Sequence, residues 1–222
     1  MSTGIDLSRI HFPVTTLGPG HRIGIWFQGC SLRCPGCISM DTWAHGRGTT
    51  TVDEVIQSIS VWSAIADGVT ISGGEPFDQP EALFELTARI RELMETDILV
   101  FTGYEWNVVS DQVACSPGLI DALVSGPFVR EEKQTFVLRG SDNQELHLLT
   151  SLGKARFASF NRRLNATDRT LDVMFDESGD VWFAGIPIRG DFGRLQRFLE
   201  SAGATLSTSE DKRIASPTIH IK

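Results

Sequence analysis

Residues 23–37 read IGIWFQGCSLRCPGC: a short aliphatic and aromatic run, then three cysteines at 30, 34 and 37. The run 23–27 has the length and content of a buried strand, and it leads straight into the cysteine loop. Downstream, Thr51 and Glu54 fit a capping box, with Thr51 as N-cap and Glu54 reaching back. Val52, Val55, Ile56 and Ile59 then keep helical spacing, and Gly68 is the expected stop. Residues 69–72 read as a strand ending in Gly73–Gly74. A second helix starts near 78–81 and buries Leu83, Leu86, Ile90, Leu93 and Met94. Residues 98–101 form the next strand, followed by the turn Thr102–Gly103. Strand, helix, strand, helix, strand is a βα rhythm and implies an α/β fold with a parallel sheet. Such sheets hold ligands at the carboxyl ends of their strands. The cysteines, the glycine pair and Thr102–Gly103 all fall at such ends.

Beyond about residue 145 the rhythm weakens. Lys154, Arg156, Arg162, Arg163 and Arg169 face a single acid, Asp168, and read as a solvated basic surface. Residues 171–175 and 181–184 flank Glu177-Ser178-Gly179-Asp180 as a β-hairpin. Asp191 is placed to cap a last helix carrying Leu195, Phe198 and Leu199, with Gly203 ending it. The expected organisation is a core over 1–149 and a small α+β appendage over 150–222.

The chain has 222 residues, 41% hydrophobic and 22% charged, with 20 basic against 28 acidic side chains and a formal charge of −8. That composition belongs to a folded globular chain and excludes a disordered one. The acidic balance argues against a protein that coats nucleic acid or anionic membrane. No run approaches the ~18 apolar residues of a membrane span. The first residues lack a basic segment followed by an apolar one, so a cytoplasmic address is expected. There, four cysteines point to metal or redox chemistry rather than to disulfides.

Cys30, Cys34 and Cys37 form a C-x3-C-x2-C run, close enough to face one metal centre from a single loop. A tetrahedral zinc site needs a fourth ligand, and no second C-x-x-C or H-x-H pair supplies it. Cys115 stands alone, beside Ser116-Pro117-Gly118, as an incidental thiol. A [4Fe–4S] cluster normally takes four thiolates, so three suggest a cluster with one iron open to a substrate or cofactor. A zinc knuckle completed by His21 or His45 is the competing reading.

Three cysteines so spaced after a first strand resemble the signature of the radical S-adenosylmethionine (SAM) superfamily. Ser72-Gly73-Gly74-Glu75-Pro76 is similar to that family's GGE motif. Two glycines there let the backbone approach a cofactor closely, while strand-end carbonyls and Glu75 accept hydrogen bonds from the SAM amino group. Leu17-Gly18-Pro19-Gly20-His21-Arg22, Asp41-Thr42-Trp43, Phe101-Thr102-Gly103-Tyr104, Leu123-Val124-Ser125-Gly126-Pro127-Phe128 and Leu138-Arg139-Gly140-Ser141-Asp142-Asn143-Gln144 resemble, in order, stretches of the glycyl-radical-enzyme activases. The likeness is to the activating proteins of anaerobic (class III) ribonucleotide reductase in particular. The sequence departs from that pattern at Ile38, at Glu75, where those activases commonly carry an aspartate, at Ser125, and in running some 70 residues further.

The resemblance implies a partial, laterally open βα barrel. Cys30, Cys34 and Cys37 would hold a [4Fe–4S] cluster. Gly36, Cys37, Ile38, Ser72, Gly73, Gly74, Glu75, Thr102 and Gly103 would contact SAM. The reduced cluster would cleave SAM to a 5′-deoxyadenosyl radical that takes a hydrogen atom from a glycine of a partner enzyme. An electron donor such as flavodoxin or ferredoxin would feed the cluster. Two readings compete: a radical SAM enzyme acting on a peptide or small molecule, and a non-enzymatic Fe–S or zinc binding module. Of the remaining residues, Trp26 and Phe27 read as core. Arg22 reads as a strand-edge surface arginine or as a contact for a carboxylate of SAM or of a partner. Tyr104, the one tyrosine, reads as packing or as a wall of the adenosine pocket.

Overall fold

The structure, a computed structural model, describes residues 2–168, 170–175 and 181–203. Met1, Arg169, residues 176–180 (where the sequence reads as a hairpin turn) and everything beyond Gly203 lie outside these residues. β1 (Gly4–Val14) leads into β2 (Arg22–Phe27), which is buried along its whole length, as a strand covered on both faces must be. Trp26 and Phe27 are core, as expected. β3 (Thr49–Thr51) is short and feeds α1 (Val52–Ile59) through the expected capping box: the Thr51 hydroxyl accepts from Glu54 N–H, and the Glu54 carboxylate accepts from Thr51 N–H. α1 gives way to a 3₁₀ turn at Ser60–Trp62, so Gly68 opens the next strand rather than ending the helix.

β4 (Gly68–Gly73), α2 (Pro80–Leu93), β5 (Asp97–Phe101), α3 (Trp106–Cys115) and β6 (Ala122–Ser125) continue the alternation. β7 (Glu145–Leu148) returns beside β6. The order across the sheet is β3-β1-β2-β4-β5-β6-β7. The four central strands are parallel, while β1, β3 and β7 pair antiparallel at the flanks. The expected parallel sheet is therefore the middle of a mixed one. The N-terminal strands arise from a stretch whose burial does not alternate cleanly.

One face of the sheet packs on α1, α2 and α3. Ile23, Ile25, Val69, Ile71, Ile98 and Val100 meet Val55, Ile59, Leu83, Leu86, Ile90 and Val109 there. The other face is covered by chain from beyond residue 135. Leu138 and Phe157, the latter on α4 (Ser151–Phe157), pack on Leu99, Ala122 and Val124. Gly153 lets α4 lie this close, because a β-carbon there would overlap the Asp121 carbonyl. Beside α4, the hairpin of β8 (Asp172–Phe175) and β9 (Val181–Ala184) buries Met174 and Ala184 against Val14, Leu17 and Trp26. α5 (Asp191–Ser201) buries none of its residues. Its N-cap is Gly190 in a left-handed conformation, and Asp191 is its first helical residue, accepting from Ile188 N–H at 2.9 Å.

At the amino ends of the strands, Arg22, Gly68 and Asp97 stand in one row across β2, β4 and β5. The Arg22 guanidinium is fully buried. It donates to Asp97 at 2.6 Å, to the Thr70 hydroxyl at 2.6 Å and to the Val69 carbonyl at 2.7 Å. Arg156 of α4 donates to the other Asp97 oxygen at 2.8 Å. Arg22 is thus neither a surface residue nor a cofactor contact; it closes the end of the sheet opposite the cysteines. Among the described residues, no helix is long and apolar enough to cross a membrane.

Candidate metal centre and cofactor cavity

The cysteine loop is shaped by its own turn residues. Cys34-Pro35-Gly36-Cys37 is a β-turn closed by Cys37 N–H donating to the Cys34 carbonyl at 3.1 Å. Proline sets φ at the second position, and Gly36 supplies the φ of +78° required at the third. The loop is fastened at its start by Gly29 N–H to the Thr42 carbonyl (2.7 Å) and Cys30 N–H to the Trp43 carbonyl (3.2 Å). Asp78 holds its middle, accepting from Ser31 N–H at 2.7 Å and from the Ser31 hydroxyl at 3.0 Å. Tyr104 donates to the same carboxylate at 2.7 Å, so it braces this clamp.

The glycine pair is welded to the loop from the other side. Gly74 N–H donates to the Phe27 carbonyl and Glu75 N–H to the Gly29 carbonyl, each at 2.8 Å. A β-carbon on Gly74 would overlap the Gly29 carbonyl oxygen, and one on Gly73 would press into the backbone of Trp26 and Phe27. The close approach that these glycines permit is to the cysteine loop's own backbone. Glu75 is buried, and both its oxygens are engaged. One accepts from Phe77 N–H (2.9 Å) and the Thr102 hydroxyl (2.7 Å), the other from Gly103 N–H (2.7 Å). It therefore ties the end of β4 to the end of β5. Burial pushes its pKa up to about 7 despite those three donors.

These turns enclose a cavity of about 270 Å³ at the carboxyl ends of β2, β4 and β5. Cys30, Cys34, Gly36, Cys37, Ile38, Ser72, Gly73, Gly74, Glu75, Thr102 and Gly103 all line it, so the structure brings every residue expected at the site to one place. Tyr104 and Cys115 do not line it, and Cys115 is exposed. Of the basic run, Arg156 is spent on Asp97 and Arg162 on Asp168, and among the described residues Lys154, Arg156, Arg162 and Arg163 do not line the cavity; Arg169 lies outside the described residues. Phe128, Gly140 and Gln144 do line it. They sit in stretches whose resemblance was legible, although single roles within them were not. Trp43, from the resembling stretch 41–43, also lines the cavity, whereas sequence reasoning gave no place to Gln134 or to residues 185–190, which form part of the wall.

The residues suit a cluster. Burial raises the thiol pKa of Cys30 and Cys37, while backbone N–H groups of Leu32 and Arg33 at Cys30, and of Ser39 at Cys37, favour the thiolate. The Trp43 indole N–H is buried, satisfies no hydrogen-bond geometry, and lies where it favours the Cys37 thiolate. N–H groups aimed at sulfur are how a protein stabilises and tunes a thiolate-held cluster. Among the described residues, no three His, Cys, Asp or Glu side chains gather as they would around a single metal ion. His21 and His45 are both exposed loop residues.

The family described as "4Fe-4S single cluster domain" matches residues 16–147, more than half of the chain. The anaerobic ribonucleoside-triphosphate reductase-activating protein of Escherichia coli (strain K12) is 34% identical over 151 residues, which is 63% of this chain and 96% of that protein. Its counterpart in Haemophilus influenzae is 30% identical over 62% of this chain and 94% of its own length. The pyruvate formate-lyase-activating enzyme of Listeria monocytogenes is 43% identical over 88 residues, 36% of this chain and 35% of that enzyme. Among solved structures, QueE from Escherichia coli superimposes with a TM-score of 0.38 at 19% identity, over 45% of this chain and 53% of that one. With its three thiols and its glycine turn in one cavity, the chain belongs to the 4Fe-4S single cluster domain family as a radical SAM enzyme, whose cofactors are a [4Fe–4S] cluster and S-adenosylmethionine.

Proposed function

We propose that the chain activates a partner enzyme by taking a hydrogen atom from one of its glycines, as the names of its reductase-activating relatives suggest. One observation carries the reading: the C-x3-C-x2-C loop and the Ser72–Glu75 turn open into the same cavity at the strand ends. When bound, the cluster supplies the electron that cleaves SAM, and the fragment released takes the hydrogen atom. Cys30, Cys34 and Cys37 hold the cluster, and the N–H groups around them offset thiolate charge. Ser72, Gly73, Gly74, Thr102 and Gly103, with Gly36 and Ile38, form the cofactor's floor. Glu75 positions that floor by locking its two turns together; a cation brought against the buried carboxyl favours its ionised form. Leu32, Phe101, Phe128 and Leu138 exclude water from the chamber. The sheet then works as a partial, laterally open βα barrel, with the core over 1–149 and the extension over 150–222. The setting is cytoplasmic, with flavodoxin or ferredoxin as electron donor.

Anaerobic reconstitution tests the reading. The chain should take up about four irons, lose them on changing Cys30, Cys34 or Cys37 to Ala, and keep them with Cys115→Ala. The reduced protein should cleave SAM and leave a glycyl radical signal on a supplied partner. Stoichiometric zinc without iron uptake sinks the proposal.

A further inference from the structure

Residues 185–190 read Gly-Ile-Pro-Ile-Arg-Gly. The two glycines have φ of +132° and +86°, conformations that side chains disfavour. Between them lies a four-residue cassette stiffened by Pro187. Ile186, Pro187, Ile188 and Arg189 all line the cavity that holds the three thiols.

The cassette spans from one side of the sheet to the other. Before it, the hairpin is fixed to the loop after β1. Asp172 accepts from Thr15 N–H (2.7 Å) and its hydroxyl (2.7 Å), and from Thr16 N–H (3.1 Å) and its hydroxyl (2.9 Å). The Arg9 guanidinium lies 3.9 Å over the Trp182 ring. On the far side, the cassette is held by Gln134 donating to the Pro187 carbonyl at 3.0 Å and by Arg189 donating to the Glu132 carbonyl. Past it comes α5, which buries nothing. The firm anchor therefore precedes Gly185, and the hold after it is the Gln134 bond, the Arg189 donations to the Glu132 and Val129 carbonyls, the packing of Ile186 and an edge contact of Phe192 on Phe183.

The enclosed volume, about 270 Å³, is below the ~300–1,000 Å³ of pockets for a single drug-sized ligand. The proposed reaction needs a cluster, SAM and a hydrogen donor in one chamber. We propose that the 185–190 strap selects the hydrogen donor: latched, it occupies the wall of the cavity through which a donor must come, and only a donor that displaces it about Gly185 reaches the thiols and the glycine turn. This rests on the activating function proposed above and adds a determinant from beyond the matched residues 16–147. The donor favoured is a partner protein segment, which can supply contacts to lift the strap; a small molecule cannot.

The test uses the full chain, Arg189→Ala, Arg189→Lys, and a chain ending at Gly185. In the cluster-free proteins, a bulky maleimide reports access to Cys34 and Cys37, with exposed Cys115 as internal reference. Arg189→Ala, which removes both donations of the guanidinium, should label at least about fivefold faster. The shortened chain should label faster still, and Arg189→Lys near the wild-type rate. In the reconstituted proteins, iron release to a bulky chelator should follow the same order, and SAM cleavage without partner should rise in Arg189→Ala. Equal labelling in all four proteins overturns the proposal, as does acceleration of wild-type labelling by free SAM rather than by a partner. Failure of the wild type to bind iron or SAM overturns the proposed function instead, and the labelling order still decides whether the strap is a gate.

Discussion

Glu75 titrates where few carboxylates do. Burial raises its pKa from 4.5 to about 7, so between those values the folded chain keeps a proton that the unfolded chain has released. Stability from this group is therefore full below about pH 4.5 and lost as pH rises through about 7. At 1.36 kcal/mol per unit, the loss between about 4.5 and about 7 is on the order of 3 kcal/mol. Urea unfolding of the cluster-free chain between about pH 5 and pH 8 should show this decline. Glu75→Gln should flatten it, although it sacrifices the bond from Gly103 N–H; parallel profiles for the two proteins would refute the assignment. The sequence marked Glu75 through its Gly-Gly neighbours and suggested an acceptor for SAM. It could not reveal that Phe77, Thr102 and Gly103 fill both oxygens, because those contacts depend on how two strand ends meet.

At the level of elements, the welded turns behave as one unit. Gly74→Ala places a methyl group on the Gly29 carbonyl, an overpacking that typically costs 1–3 kcal/mol. Since the displaced backbone carries Cys30, cluster retention should fall together with SAM binding. Thermal unfolding and iron content measure both; a variant that keeps the wild-type melting temperature and iron would show that the turn yields. Asp172, which accepts four hydrogen bonds from Thr15 and Thr16, is the main polar anchor of the hairpin, so Asp172→Ala should cost about 1–3 kcal/mol and expose residues 170–185 to limited proteolysis. Unchanged proteolysis would mean that Met174 and Ala184 suffice. The βαβ elements were legible because each has its own period and cap, as Thr51–Glu54 illustrates. β1 and β7 were not, because flanking strands with one partly exposed face carry no continuous apolar run.

Across the whole molecule, the cofactor end and the opposite end are built from different chemistry. Arg22 and Asp97 close the latter with a buried ion pair. Asp97→Ala strands the guanidinium without its partner and should cost about 3–5 kcal/mol in denaturant unfolding. Replacing both residues by apolar ones should cost less, and a double variant as unstable as the single one would contradict this. Arg22 read from sequence as peripheral because its partners come from β4, β5 and α4, far along the chain. The anchoring of the hairpin has a consequence for how the protein is made. Thr15 and Asp172 are 157 residues apart, and chains are synthesised from the N-terminus at roughly 5–20 residues per second. Cys30, Cys34 and Cys37 emerge, and their loop gains its neighbours on β4 and β5, before the cassette that will roof them exists. Iron and sulfide thus have an interval of several seconds in which the nascent chain offers an uncovered site, and a cluster installed then is covered afterwards by a segment made later than the whole sheet.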